Sequence, residues 1–150
     1  MSCSATMTEN HTVYYGPSTV YPVVGSVYDN EAVTVLWQEE SWFHIEYSVG
    51  TKKKRGYVKT SSLALTGSVP NLSTVFDAVR DYDYISDGGT TYTGPNPSVF
   101  YEAGSLDVNE RVIRLPYYEN GYCYVEYSYG GTARKRAYYP LSKLTFSDVT

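Results

Sequence analysis

Apolar side chains recur at every second position along much of the chain. The clearest runs cover residues 33–37, 42–47 and 122–127. A period of two is typical of strands that bury one face and expose the other. Turn-forming pairs such as Asp29-Asn30 and Val49-Gly50 separate the runs. Short alternating runs between frequent turns predict an all-β protein made of small antiparallel barrels.

The same pattern occurs twice along the chain. Tyr14-Tyr15-Gly16-Pro17 recurs as Tyr92-Thr93-Gly94-Pro95, and Lys54-Arg55-Gly56-Tyr57 recurs as Lys135-Arg136-Ala137-Tyr138. Three shorter blocks recur in the same order, each roughly 80 residues later. The sequence therefore predicts two copies of one module, over residues 12–64 and 90–145. Residues 1–11 are then a flexible N-terminal tail, and residues 65–89 are a linker.

The linker contains the one helical spacing in the sequence. Leu72, Val75, Phe76 and Val79 follow the i, i+3, i+4, i+7 pattern after Pro70-Asn71. The stretch is short and rich in β-branched residues, so an extended clasp across both barrels is the alternative to a helix. Its four apolar side chains predict that the linker docks and is not a free tether.

Composition and charge exclude several classes of protein. Tyrosine accounts for 18 of the 150 residues, and the net charge is -4 with a pI near 5.1. An acidic domain is disfavoured as a general nucleic-acid binder. Two cysteines and two histidines are too few for a disulfide framework or a metal site, so no cofactor is expected. No apolar run approaches the length of a membrane span, and the first residues lack the features of a secretory signal.

The repeated motifs resemble one family. The Tyr-Gly-Pro opening, the strand at residues 42–47 and Arg55-Gly56-Tyr57-Val58 resemble the bacterial SH3-type (SH3b) domain. The second copy resembles its tandem partner. The resemblance implies two small SH3-like barrels in tandem, joined by a docked linker. It also implies a cell-wall-binding module, commonly fused to peptidoglycan hydrolases (endolysins and autolysins) of Gram-positive bacteria and their phages. The usual closing Gly-Trp-Val is Gly56-Tyr57-Val58 here, which leaves the ligand contact attributed to that Trp open.

The residues capable of nucleophilic catalysis do not assemble into a site. Cys123 aligns with Phe43 on a core-facing position, so we expect a buried, inert thiol. Cys3 lies in the polar N-terminal tail, where we expect it to be mobile. The counterpart of His44 is Tyr124, which cannot act as the same base at neutral pH. The sequence therefore predicts a protein that is not an enzyme.

The aromatic residues divide into a core set and a candidate recognition surface. Strand parity assigns Phe43, Tyr47 and Tyr127 to the interiors. The remaining rings are either ordinary strand residues or a surface that stacks on a sugar or a peptide. We predict a ligand-binding set made of an outward row with its twin, the first-loop rings and the closing tyrosines. In the first loop, Tyr14, Tyr15 and Tyr21 are matched by Tyr92, Phe100 and Tyr101. The predicted set comprises Trp42, His44, Glu46, Tyr122, Tyr124, Glu126, Tyr14, Tyr15, Tyr21, Tyr92, Tyr101, Tyr57 and Tyr138.

Two basic runs concentrate the positive charge. They are Lys52-Lys53-Lys54-Arg55 and Arg134-Lys135-Arg136. One interpretation is a solvated hairpin tip that keeps the protein soluble. The other is a contact with a polyanion such as the phosphates of wall teichoic acid, which clustered cations bind in a salt-dependent way.

The sequence as a whole predicts a non-catalytic module that targets a lytic enzyme to the Gram-positive envelope. The expected partners are peptidoglycan or wall teichoic acid and a catalytic hydrolase domain or subunit, with no nucleic acid and no membrane. We expect synthesis in the cytoplasm, release by a phage-type route or on a parent chain, and action at the extracellular cell wall. The alternative is an SH3-like interaction module that binds a peptide or a phage structural partner.

Overall fold

A computed structural model describes residues 3–69 and 82–147 of the chain. Within these residues the chain forms twelve strands and two short 3-10 turns, and it divides into two compact units, Met1–Val75 and Phe76–Thr150. The predicted all-β fold with two SH3-like domains is confirmed. The helical spacing predicted at residues 72–79 lies outside the described residues.

The first unit is a seven-stranded antiparallel sheet with the order β3-β2-β6-β5-β4-β1-β7. The β5–β6 hairpin is its longest regular pairing, from Trp42 opposite Lys59 to Val49 opposite Lys52. A 3-10 turn, Thr60–Ser62, separates β6 from β7. The strands are β1 Cys3–Met7, β2 His11–Tyr14, β3 Val23–Val27, β4 Ala32–Glu39, β5 Trp42–Val49, β6 Lys52–Lys59 and β7 Leu63–Leu65.

The second unit repeats this pairing with fewer, longer strands in the order β11-β10-β9-β8-β12. The first part of β8 pairs with β9 and β12, as β1 pairs with β4 and β7. The last residue of β8, Tyr92, pairs with Tyr138 of β11, as Tyr14 pairs with Tyr57 in the first unit. The strands are β8 Tyr82–Tyr92, β9 Glu102–Glu119, β10 Tyr122–Ser128, β11 Arg134–Pro140 and β12 Leu144–Phe146, with a 3-10 turn at Leu141–Lys143.

Each unit has its own apolar core, built from the alternating positions. Phe43, Ile45 and Tyr47 of β5 lie in the first core, and Cys123, Val125 and Tyr127 of β10 occupy the same places in the second. The interior positions predicted for Phe43, Tyr47 and Tyr127 are therefore confirmed. The predicted burial of Cys123 is confirmed as well, since its side chain is 0% exposed. Burial raises the pKa of its thiol to about 11, which keeps it protonated at neutral pH.

The prediction of a flexible tail is wrong from Cys3 onward. Cys3, Ala5 and Met7 are buried, and the strand that they form is hydrogen-bonded between β4 and β7. The sequence does carry this signal, because the three small or apolar side chains alternate with Ser4 and Thr6. The linker boundaries also change, because Leu65 belongs to β7 and residues 82–89 belong to β8.

Candidate ligand-binding surfaces

A pair of rings in edge-to-face contact marks the same place in both units. In the first unit the Tyr14 and Trp42 ring centroids are 5.8 Å apart with planes at 90°. In the second, Tyr92 and Tyr122 are 6.3 Å apart at 83°. We call these the first and second aromatic pairs. Tyr14, Tyr92 and Tyr122 remain partly exposed, so each pair presents ring surface to a ligand.

Strand alternation positions the first member of each pair. Val13 and Thr91 are fully buried on the core side, so Tyr14 and Tyr92, which follow them directly, point to the opposite face. The strand pairing also shifts at these places, between Val13 and Tyr14 and between Thr91 and Tyr92. Each tyrosine ring lies against the first residue of β5 or β10.

The predicted outward row is mostly buried, so that prediction is wrong for three of its members. Trp42 is 7% exposed, His44 1% and Tyr124 2%. A shift in the β4–β5 register after Val35 places Trp37 beside His44, and their rings stack with centroids 4.3 Å apart. The face opposite the core therefore carries a second buried layer of rings.

The closing tyrosines also belong to this layer. Tyr57 and Tyr138 are both 0% exposed, which contradicts their prediction as surface ligand contacts. The Tyr57 ring centroid lies 4.5 Å from that of His44, and the Tyr138 centroid lies 4.7 Å from that of Tyr124. These residues stabilise the units, whereas Tyr122, which is partly exposed, remains available as a ligand contact.

The two glutamates of the predicted row form ion pairs with residues of the basic runs. Glu46 Oε1 lies 2.9 Å from Arg55 Nη2, and its Oε2 lies 3.2 Å from Lys53 Nζ. Glu126 binds Arg134 and Arg136 in the same way, at 2.8 Å and 2.9 Å. Directly opposed strand positions make this geometry, because Glu46 faces Arg55 and Glu126 faces Arg136. The carboxylates thus link neighbouring strands through ion pairs.

Strand alternation divides each basic run between the two faces of the sheet. Lys54 and Lys135 point to the core side, where their ammonium groups donate to the backbone carbonyls of Val24 and Ala103. Arg55 is 7% exposed and Lys135 5%, so neither presents its charge freely to solvent. Burial lowers the pKa of Lys135. Lys52 and Lys53 are more accessible, and a polyanion contact by the runs stays a prediction.

The first-loop rings pack against the Gly-Pro turns. A Cβ at Gly16 would lie 2.3 Å from the Tyr21 ring, and one at Gly94 would lie 2.2 Å from the Phe100 ring. Glycine is required at both positions because the ring covers the backbone there. Tyr15 and Tyr101 are half-buried, and Tyr15 packs on the first core. The loop rings therefore have structural contacts, and ligand binding by them stays a prediction.

Two residues beside the first aromatic pair were missed by the sequence analysis. Lys59 is exposed and its Nζ lies 5.7 Å from the Trp42 ring centroid. The His11 ring meets the same tryptophan edge-on, with centroids 6.4 Å apart, and its Nδ1 donates to the Thr12 carbonyl at 2.6 Å. Counting the hairpin register outward from its turn at Val49-Gly50 would have found Lys59, because it pairs directly with Trp42.

Among the described residues, no three His, Cys, Asp or Glu side chains come together as metal ligands. In the same part of the chain, no helix is long and apolar enough to cross a membrane.

Comparison with known protein families finds a similarity in the first unit. Residues 12–64 match the bacterial SH3 domain. The matched segment runs from Thr12 in β2 to Ala64 in β7 and includes Tyr14, Trp42 and Lys59. No curated protein matches the sequence.

Two solved structures from Trichomonas vaginalis are similar in sequence only at a low level. NlpC1 is 14% identical with a TM-score of 0.39, covering 98% of this chain and 46% of that protein. NlpC2 is 15% identical with a TM-score of 0.36, covering 97% of this chain and 48% of that protein. The chain thus spans less than half the length of either.

Proposed function

We propose that the chain is a tandem SH3b module that binds the Gram-positive cell wall without catalysis and brings a peptidoglycan hydrolase to it. The match of residues 12–64 to the bacterial SH3 domain carries the proposal. The second unit supports it, since it repeats the strand pairing and the edge-to-face ring pair of the first. The module acts outside the cell, on peptidoglycan or on a polymer attached to it.

The two aromatic pairs are the proposed ligand contacts. A tyrosine ring offers a rigid apolar face to a sugar ring or peptide, with a hydroxyl at its rim. The Tyr122 hydroxyl is protonated at neutral pH, as in any tyrosine, and can donate to the ligand. Burial, with Tyr92 adding to it, raises its pKa further. Two weak sites on one chain bind a repetitive polymer more tightly than either site alone.

The test is retention of the full chain on purified sacculi from a Gram-positive bacterium. Tyr14→Ala and Tyr92→Ala are the informative variants because both rings are partly exposed, whereas truncation of Trp42 would open a cavity. Each single variant is expected to lose about 1–2 kcal/mol of binding, and the double variant to lose retention.

The matched control is Tyr28→Ala, which removes a tyrosine that is 60% exposed in the turn between β3 and β4. This variant should bind like the wild type, and all variants should keep the wild-type melting temperature within a few degrees. Wild-type protein that washes off sacculi would refute wall binding and favour the peptide-binding alternative. A double variant that binds normally would show that the aromatic pairs are not the contacts.

A further inference from the structure

The two aromatic pairs differ in the charge that surrounds them. In the first unit, Trp42 is paired across the sheet with Glu39 on one side and Lys59 on the other. In the second unit, the equivalent Tyr122 is paired with Glu119 and Pro140. Directly opposed positions on neighbouring strands project side chains to the same face. A carboxylate therefore flanks both pairs, but an ammonium group flanks the first alone at these positions.

The geometry places the ammonium of Lys59 within reach of a ligand that contacts the first pair. Its Nζ lies 5.7 Å from the Trp42 ring centroid and the side chain is exposed. The His11 ring meets the same tryptophan edge-on, with centroids 6.4 Å apart. Tyr14 supplies the partly exposed ring surface beside them. Apolar ring surface with an adjacent ammonium group suits a ligand that has both a sugar or peptide body and an anionic group.

We propose that the first aromatic pair binds an anionic element of the wall through Lys59, a contact that Pro140, at the equivalent position of the second unit, does not supply. This inference rests on the proposed function and names the ligand chemistry at one of its two sites. The anionic group is a carboxylate or a phosphate ester, which share the negative oxygens that an ammonium group recognises. Glu39, on the opposite side of Trp42, repels the anion and so directs it toward Lys59.

The experiment compares three full-length variants on sacculi at low and at moderate salt. Lys59→Gln removes the charge and keeps a polar side chain, and Lys59→Arg restores the charge. Arg111→Gln is the matched control, because it removes one exposed cation that belongs to neither aromatic pair and neither basic run. Lys59→Gln is expected to weaken retention about two- to fivefold and to reduce its salt dependence. Lys59→Arg and Arg111→Gln should bind like the wild type.

Chemically treated sacculi distinguish the two sources of negative charge. One batch is stripped of phosphodiester-linked polymers with hydrofluoric acid, and another has its carboxylates amidated. The difference between wild type and Lys59→Gln should disappear on the batch that lacks the recognised anion and persist on the other.

Three outcomes overturn the inference while wall binding stands. They are wild-type binding by Lys59→Gln on untreated sacculi, a loss in Arg111→Gln as large as that in Lys59→Gln, and a difference that survives both treatments. Wild-type protein that fails to bind untreated sacculi refutes the proposed function instead. The two failures are therefore distinguishable.

Discussion

At the scale of single residues, the two units surround an equivalent buried tyrosine with different neighbours. Tyr127 and Tyr47 occupy equivalent core positions. The Tyr127 hydroxyl lies 2.9 Å from Thr91 Oγ1. In the first unit Val13 takes the place of that threonine, and within the described residues the buried Tyr47 hydroxyl has no hydrogen-bond partner. A buried hydroxyl without a partner costs free energy, whereas a satisfied one does not.

Replacing these two tyrosines by phenylalanine should therefore have opposite consequences. Tyr127→Phe removes the hydrogen-bond partner of the Thr91 hydroxyl. We expect this substitution to lower the free energy of unfolding by about 1 kcal/mol. Tyr47→Phe removes an unpartnered hydroxyl from the core, and we expect a neutral or stabilising effect. Denaturant unfolding of both variants is the measurement. Equal losses would show that the Thr91 contact contributes nothing.

A second residue-scale prediction concerns a strained turn. Glu40, between β4 and β5, has a φ of 55°, and the equivalent Asn120 has the same value. Asparagine tolerates the left-handed region better than glutamate does. We expect Glu40→Asn to raise the free energy of unfolding by about 0.5 kcal/mol. Thermal melting is the measurement. Glu39→Asn is the control, because it removes the same charge at a position outside the left-handed region. A higher melting temperature in the control alone would contradict the explanation.

At the scale of elements, β1 completes the first unit and its loss should be detectable. The strand is only five residues long, and it fills the space between β4 and β7. A strand of five residues has few hydrogen bonds to break, and it opens more readily than the longer strands beside it. Cys3 near the chain start and Cys123 in the middle of the second core are therefore natural reporters of two different opening events.

We expect a thiol reagent to modify Cys3 at a rate set by local release of β1, and Cys123 only upon unfolding of the second unit. The pKa of about 11 at Cys123 reinforces its slow reaction, since the thiolate is the reactive form. Peptide mapping after timed labelling distinguishes the two sites, and Ser4→Pro, which disturbs β1, should accelerate modification of Cys3 alone. Rapid modification of Cys123 in the native protein would contradict its core position.

At the scale of the whole molecule, the high tyrosine content makes stability sensitive to alkaline pH. Burial raises the pKa values of Tyr47, Tyr127 and Tyr139 above the ordinary tyrosine value of 10.0. The folded state therefore holds these protons where the unfolded chain releases them. The stability that they contribute is fully present below pH 10 and is lost as the pH rises beyond it.

We expect the free energy of unfolding to be nearly constant between about pH 7 and pH 9 and to fall steeply above about pH 10. Denaturant titrations across this range measure the fall, and tyrosinate absorbance should show that part of the tyrosine set ionises only as the protein unfolds. Tyr139→Phe should make the decline shallower. A free energy that stays flat above pH 10 would show that the buried tyrosines titrate normally.

Local patterns in the sequence were enough to predict the strands, the core positions and the two units. Alternation identified the strands and the core positions Phe43, Tyr47, Tyr127 and Cys123, because a strand has a period of two whatever it pairs with. The internal repeat indicated two units, because equivalent turns and strands recur in order.

Which face of each strand is exposed, and which charged side chains have partners, depends on the three-dimensional packing. Parity places Trp42, His44 and Tyr124 on the side away from the core, but a register shift and ring stacking bury that side as well. The basic runs are contiguous in sequence, yet alternation and cross-strand pairing commit Lys54, Arg55, Lys135 and Arg136 to partners within each unit. Exposure depends on neighbours that are distant in sequence, and the ion pairs depend on the register of each hairpin, so the alternation within one strand contains neither.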